Sequence, residues 1–390
     1  MAQEHIDFTT PGGDTVTQAL HKAEDNFNDL YVQVAAAAAT AGAAQSLAGV
    51  ASFKNKLING NFDFWQRVNP GAITSSGGAA TAAFCADRWI MGALNCTNQV
   101  GPVTFNPGDS PVGPTGARSC ASFTVSSITN AGTNSATAFQ RIEGVSQSGG
   151  KTYTISGWFY NGNAAAINIG FQGTQTFGTG GSPSAQVTGI SPVVISIPVG
   201  WSYKSAQVAF PSVAGKTLGT NSNDWFAITV FFSGAGVGVP AVGSQTGNFA
   251  LTGMQIEEGS AATSYERRHL ATELMLCQRY YEKSYQLSIV PGAVNDTNGT
   301  AACVIGGLSS ASYSTQLQGN FKVTKRTVPT VTLYSPATGA GGVIRNFSAS
   351  ADFSPSSVQV GTNMVQINTG TMAAAASINV QAHWAADAEL

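Results

Sequence analysis

The chain has 390 residues, a formal net charge of −2, and 10% charged residues against 43% hydrophobic ones. Soluble domains average about 25% charged, so this is a charge-poor chain long enough for two or three domains. No basic patch is available for nucleic acid, and the aromatic and β-branched content excludes a disordered chain.

The N-terminus is polar and acidic. It shows no apolar signal region, and no run in the chain is long enough to span a bilayer, so no membrane insertion is expected. After the turn Pro11-Gly12-Gly13, Thr15 and Gln18 stand at capping-box spacing. Val16, Leu20, Ala23, Phe27, Leu30, Val34, Ala37 and Ala41 then follow a heptad rhythm, bulky first and nearly all alanine later. A long helix with one apolar stripe buries nothing alone. The spacing predicts a coiled-coil seam over residues 1–50 that associates with other copies of the chain.

From Phe53 onward the pattern predicts strands. LINGNFDFWQ sets an Asn-Gly turn signal beside an aromatic run, and ADRWIMGA follows a Gly/Ser/Ala-rich loop. Period-two alternation is clear over 153–160, 165–172, 193–199, 203–210, 226–232 and 249–256. Short strands separated by Gly, Asn, Pro and Ser predict an antiparallel β-sandwich over residues 51–268. Trp158 and Tyr160 share one face with Ser156, opposite Ile155 and Phe159. With Asn168 and Gln172 expected beside them, they are candidate sugar ligands: rings stack on a pyranose and amides bond its hydroxyls. The alternative is that the other sheet or a neighbouring subunit covers this face. Trp65 and Trp89 read as core, while Trp201 and Trp225 are open to either reading.

Catalytic constellations are hard to find. Asp63, Asp87, Glu143, Glu257 and Glu258 show no pairing of the kind a glycosidase needs. None of His5, His21, His269 and His383 sits in a nucleophile-elbow context, and no phosphate-cradling loop is present. The five cysteines, Cys85, Cys96, Cys120, Cys277 and Cys303, are odd in number and widely spaced, so neither zinc nor a disulfide framework is expected. They read as buried small hydrophobes of a protein made in a reducing cytoplasm.

Charge concentrates in QIEEGSAATSYERRHLATELMLCQRYYEK, residues 255–283. Leu270, Leu274, Cys277 and Tyr281 form one helical stripe, predicting a short helical connector over 269–284 held by ion pairs. A second β domain is expected over 285–390, with strands in CVIGGL, FKVTKRTVPTVTLYSP, SVQVGTNMVQINTG and SINVQAHW, the strand after Pro329 lying at an edge.

The QIEEG, YERR and ELxxCQRYY junction resembles that of tailed-bacteriophage fibre and receptor-binding proteins, and the opening GGDTVTQALHKAEDNFNDLY resembles their attachment segments. The order LINGNFDFWQR, ADRW, FQRIEG, GKTYTISGWFY, LTGMQIEEG is similar to jelly-roll carbohydrate-binding modules. The resemblance implies a homotrimeric fibre or spike subunit in the virion. Its N-terminus would dock to other virion proteins, and it would bind a host-surface glycan or receptor without catalysis. It implies a host-facing C-terminal tip, where Tyr313, Tyr334, Arg345, Asn346 and Trp384 are candidates, Tyr334 and Arg345 foremost. Related jelly rolls sometimes hold calcium, for which Asn61, Asp63 and Glu257 are the oxygen donors, yet no ligand loop supports it and no metal or cofactor is expected. A surface-polysaccharide depolymerase and a ligand-free head fibre or decoration protein remain alternatives.

Overall fold

The computed structural model describes residues 53–67, 71–109, 115–306, 312–373 and 377–390, with Thr15, Gln18 and Lys22 ahead of them. Residues 1–54 form one compact unit and 55–390 another. In the first unit, Thr15 N donates to Gln18 Oε1 (2.8 Å) and Gln18 N to Thr15 Oγ1 (3.3 Å), the reciprocal pair of a capping box. Gln18 and Lys22 are helical. The expected seam, from Val16 through Leu20, Ala23, Phe27, Leu30, Val34 and Ala37 to Ala41, lies outside the described residues.

The second unit is mainly β. Thirteen strands among the described residues build its larger part: β1 (Ala72–Thr74), β2 (Thr81–Phe84), β3 (Ile90–Leu94), β4 (Thr97–Thr104), β5 (Ser119–Ser126), β6 (Asn134–Phe139), β7 (Ile142–Glu143), β8 (Thr152–Asn161), β9 (Ile167–Thr176), β10 (Val187–Ile197), β11 (Gly200–Ala209), β12 (Trp225–Ala235) and β13 (Gly247–Glu258). One antiparallel sheet runs β1-β4-β5-β13-β8-β11; the other runs β10-β9-β12-β6-β3-β2, with β7 also on β12. Alternation explains the layering. Tyr153, Ile155 and Phe159 of β8 face Phe171, Phe226 and Phe232 of the second sheet in one core, with Phe123–Phe232 ring centroids 4.7 Å apart and Tyr153–Phe226 5.1 Å. Each such ring fully buried contributes about 1.5–3 kcal/mol over exposure. Trp89 lies in this core and Trp65 packs against it.

A bulge shapes β13. Its pairing with β8 slips between Thr252 and Gln255, Gly253 adopts φ +61°, and Met254 turns inward to full burial. A Cβ on Gly157 would meet Met254 Sδ at 2.4 Å, so any larger residue there would have to displace the Met254 side chain.

The LINGNFDFWQ segment is a correction to the strand reading: residues 54–66 contain no strand. Its amides are satisfied by side chains instead of a ladder. Asn59 and Phe62 adopt positive φ, Asn59 Nδ2 donates to Phe64 O (2.9 Å), and Trp89 Nε1 donates to Asn59 O (3.1 Å).

The helix α1 (Leu270–Gln278) ends before Tyr281, which the stripe had included. Tyr281 begins β14 (Tyr281–Lys283). The remaining strands are β15 (Ala301–Gly306), β16 (Ser312–Tyr313), β17 (Gln316–Asn320), β18 (Thr330–Tyr334), β19 (Ile344–Asn346), β20 (Ala351–Phe353), β21 (Ser357–Val360), β22 (Met364–Asn368), β23 (Met372–Ala373) and β24 (Ser377–Asp387). The long β24 organises them, pairing with β14, β15, β18 and β19. A second core gathers Leu333, Ile344, Ile367, Val380 and Trp384. FKVTKR, expected as strand, is irregular: Lys325 turns inward there and Lys325 N donates to Thr362 O (2.8 Å).

Candidate functional site

The outer face of the six-stranded sheet carries the candidate site. Inward positions of β8 fill the core, so Trp158 and Tyr160 stand outward and half-buried, as alternation requires. The antiparallel register sets Trp201 opposite Tyr160 and Tyr203 opposite Trp158. Ring centroids are 5.2 Å apart for Tyr160–Trp201 and 5.9 Å for Trp158–Tyr203. Phe105 meets Trp201 edge-on at 5.7 Å. These spacings are those of favourable aromatic pairs, which stiffen the wall they form.

The register continues across the sheet. Tyr160 pairs with Ala250 of β13, Ala250 with Ser122 of β5, and Ser122 with Gly101 of β4. One cross-strand row thus reads Trp201, Tyr160, Ala250, Ser122, Gly101, with side-chain bulk falling from tryptophan to none. The result is an aromatic wall above a floor of small residues, enclosing a groove of about 540 Å³. Cys120 lies in that floor, and burial pushes its thiol up to about 12, so it is a neutral lining group. A polar rim follows one register step away. Thr124 Oγ1 lies 2.9 Å from Asn248 Oδ1, and Gln99 pairs with Thr124. Rings and hydroxyls line the groove, with Asp109 as the charged residue and no lysine or arginine among its described lining residues, and the amides stand at its rim; this suits a polyhydroxyl ligand that carries no anionic group.

Asn168 and Gln172 are not beside the wall. Both lie on β9, in the other sheet. Asn168 is exposed, and its carbonyl accepts from the Gln245 amide. Gln172 is 8% exposed; with its amide oriented to suit both neighbours, it donates to Gly238 O (2.7 Å) and accepts from Gly189 N (3.0 Å). The 236–243 loop covers this outer face, placing Val239 and Val242 against Phe231. The sequence placed β8 and β9 next to one another because they are consecutive; the chain instead crosses between sheets there.

The C-terminal candidates also separate. Trp384 is core, 4% exposed. Arg345 pairs with Asp352 (3.2 Å), and Asn346 Oδ1 accepts from Ala349 N. Tyr334 lies edge-on to Tyr285 at 6.2 Å and lines a cleft of about 800 Å³ with Arg67, Tyr281, Thr330 and Thr332. Tyr313 lies in β16. Missed in full were Phe105 and Tyr203. The signal for Tyr203 was available: Trp201 and Tyr203 repeat the two-residue spacing of Trp158 and Tyr160.

Ion pairs occur in the charged stretch and around it, Arg268 with Glu273 (3.3 Å) within it. Lys325 Nζ meets Glu282 at 2.5 Å with both side chains fully buried, and also donates to Gln278 O and Val323 O. Arg67 bonds Asp387 (2.7 Å) and Glu389 (3.1 Å), its guanidinium 3.9 Å from the Tyr281 ring centroid. Arg88 pairs with Glu389 over the Tyr280 ring, and burial pushes it down to about 10. Glu257, named as a calcium donor, accepts from Gln255 Nε2 (2.8 Å), Thr263 N (2.8 Å) and Thr263 Oγ1 (2.7 Å), which anchor the 259–264 loop. Asn61 Nδ2 donates to Thr115 O (3.3 Å), and burial pushes Asp63 up to about 6. Among the described residues, no three His, Cys, Asp or Glu side chains cluster as metal ligands.

No family model and no curated protein matches this chain. Solved structures resemble part of it. The enzymatically active domain of bacteriophage CBA120 tailspike protein 4 is 14% identical over 54% of this chain and 22% of its own length, with a TM-score of 0.30. The CBM22-2 xylan-binding domain of Paenibacillus barcinonensis Xyn10C is 12% identical over 47% of this chain and 94% of its own, with a TM-score of 0.27. The mannan-recognising carbohydrate-binding module TmCBM27 is 8% identical over 47% of this chain and 99% of its own, with a TM-score of 0.26. The chain thus spans about a fifth of the tailspike domain, and likeness at this level fixes neither ligand nor activity.

Proposed function

We propose that this protein binds glycan on the outer face of its six-stranded sheet, as a non-catalytic subunit of a virion fibre or spike. The observation that carries the glycan reading is the cross-strand row Trp201, Tyr160, Ala250, Ser122, Gly101. It leaves a stiff aromatic wall open above a small-residue floor, with Ser122, Thr124, Asn248 and Gln99 supplying hydroxyl and amide groups. The virion part rests on the fibre-like junction and attachment segments of the sequence. The heptad seam supports self-association, and the resemblance makes that association a homotrimer whose N-terminus docks to other virion proteins. Weak sites would be multiplied by three chains and several fibres. The partner is a host-surface glycan.

Catalysis is left out of this reading for a positive reason. Asp387 and Glu389, the carboxylates of the large cleft, are engaged by Arg67 and Arg88; the aromatic groove has one carboxylate, Asp109, among its described lining residues, whereas a glycoside hydrolase needs a pair. The test is a glycan array probed with the wild type and Trp201→Ala, alongside a reducing-sugar assay on any polysaccharide that binds. Binding lost in the variant with no sugar released supports the reading. Sugar release would make the protein a depolymerase, and an array without signal would leave a ligand-free fibre. Light scattering with and without residues 1–50 tests the trimer.

A further inference from the structure

We infer that the aromatic groove is one end of a continuous track, and that its ligand is an uncharged polysaccharide bound along its length and not by a terminal sugar. This rests on the glycan reading above. Three hollows lie in series. Val103 and Ser122 line both the aromatic groove and a second hollow of about 490 Å³ over β4 and β5. Gly71 borders both that second hollow and the cleft of about 800 Å³. The track therefore crosses the whole sheet from β11 to β1, five strand spacings or roughly 24 Å at ~4.8 Å each, before entering the cleft beside β18. There Thr330, Thr332 and Tyr334 project from one face of the strand, hydroxyl after hydroxyl. Tyr160 and Tyr334, candidates from two different β regions, thus stand on one path.

Charge names the ligand class. Among the described residues lining the first two hollows there is no lysine or arginine, and the one charged group is the Asp109 carboxylate, which repels an anionic chain. Arg67, in the cleft, is held by Asp387, Glu389 and the Phe84 and Tyr281 rings. A uronate, sulfate or phosphate along the chain would find no charge-assisted donor. Small floor residues, Ala250, Ser122 and Gly101, leave room for a chain to pass and not merely end.

The test measures the affinity of graded-length fractions of dextran, laminarin and galactomannan, with polygalacturonate as the charged control. Thr332→Trp and Val328→Trp plug the cleft from exposed positions; Trp201→Ala removes the wall. The expected result is a neutral fraction series whose affinity rises at least ten-fold between lengths that fill the aromatic groove and lengths that reach the cleft. Both plugging variants abolish the rise and leave short-fraction affinity unchanged, while Trp201→Ala weakens every length. Affinity that plateaus at short lengths, or a rise that survives both plugs, overturns the track while leaving the groove intact. Preference for polygalacturonate overturns the charge argument. Failure of every polysaccharide to bind removes the glycan reading and this inference with it.

Discussion

The aromatic groove and the charged junction treat polar chemistry in opposite ways. In the junction, charges are matched and mostly buried: Lys325 with Glu282, Arg67 with Glu389 and the more exposed Asp387, Arg268 with Glu273. In the groove, rings and hydroxyls are left half-open beside one carboxylate, Asp109, and no cation is among its described lining residues. A chain with so few charges places many of them where two β regions must hold a fixed relation. Burying an ion is costly unless its partner and hydrogen bonds are present, so such pairs specify geometry more than they stabilise it. Aromatic rings half in water keep their affinity for an apolar sugar face. One region is complete in itself; the other leaves its rings and hydroxyls open, as the proposed glycan site requires.

That contrast can be broken at either end. The largest effect is expected from Lys325→Met, which strands Glu282 in the interior and costs about 3–5 kcal/mol. It would appear as a lower denaturant midpoint with an unchanged slope. Adding Glu282→Leu should recover more than half of the loss; if the double variant is no more stable than the single, pairing is not what holds the junction. Next comes Tyr160→Ala, which should weaken neutral-glycan binding at least ten-fold, about 1.4 kcal/mol, with little change in unfolding. A matching loss of stability would instead make the wall a structural layer. Gln172→Ala sharpens the comparison from the opposite sheet: about 1–2 kcal/mol of stability lost from its two loop bonds, and glycan affinity untouched. An affinity loss there would mean that both faces take part.

The smallest effect concerns pH. Burial raises Asp63 to about 6. Its native form therefore holds a proton that the unfolded chain has released, and stability contributed by that proton declines as pH rises from about 4 to about 6. Asp63→Asn should stabilise the protein at pH 7 by about 1 kcal/mol, the shift being discounted for the partial exposure of the group, with no gain at pH 4. Equal thermal shifts at both pH values would remove the titration account.

Much of this was legible because strand periodicity is local. The outward placement of Trp158 and Tyr160 and the edge start after Pro329 follow from neighbours within a few residues. The Thr15–Gln18 box is legible for the same reason. What failed was non-local. LINGNFDFWQ has strand-like composition, but Asn59 and Gln140 side chains take up its backbone groups, so no ladder forms. Helix α1 stops short of Tyr281 because β24, more than a hundred residues away, offers Tyr281–Lys283 a strand partner.

By itself the sequence determined the β class, the alternation of faces, the charge-poor surface and the position of the charged stretch, since each depends on composition or on spacing within one element. Tertiary structure alone decided that Trp201 and Tyr203 join Trp158 and Tyr160, that Asn168 and Gln172 belong to the other sheet, and that Gly101, Ser122 and Ala250 lie in one row with the wall. Strand order and register fix those relations. They are set by the global packing of two sheets, in which a one-residue slip would turn every side chain to the opposite face.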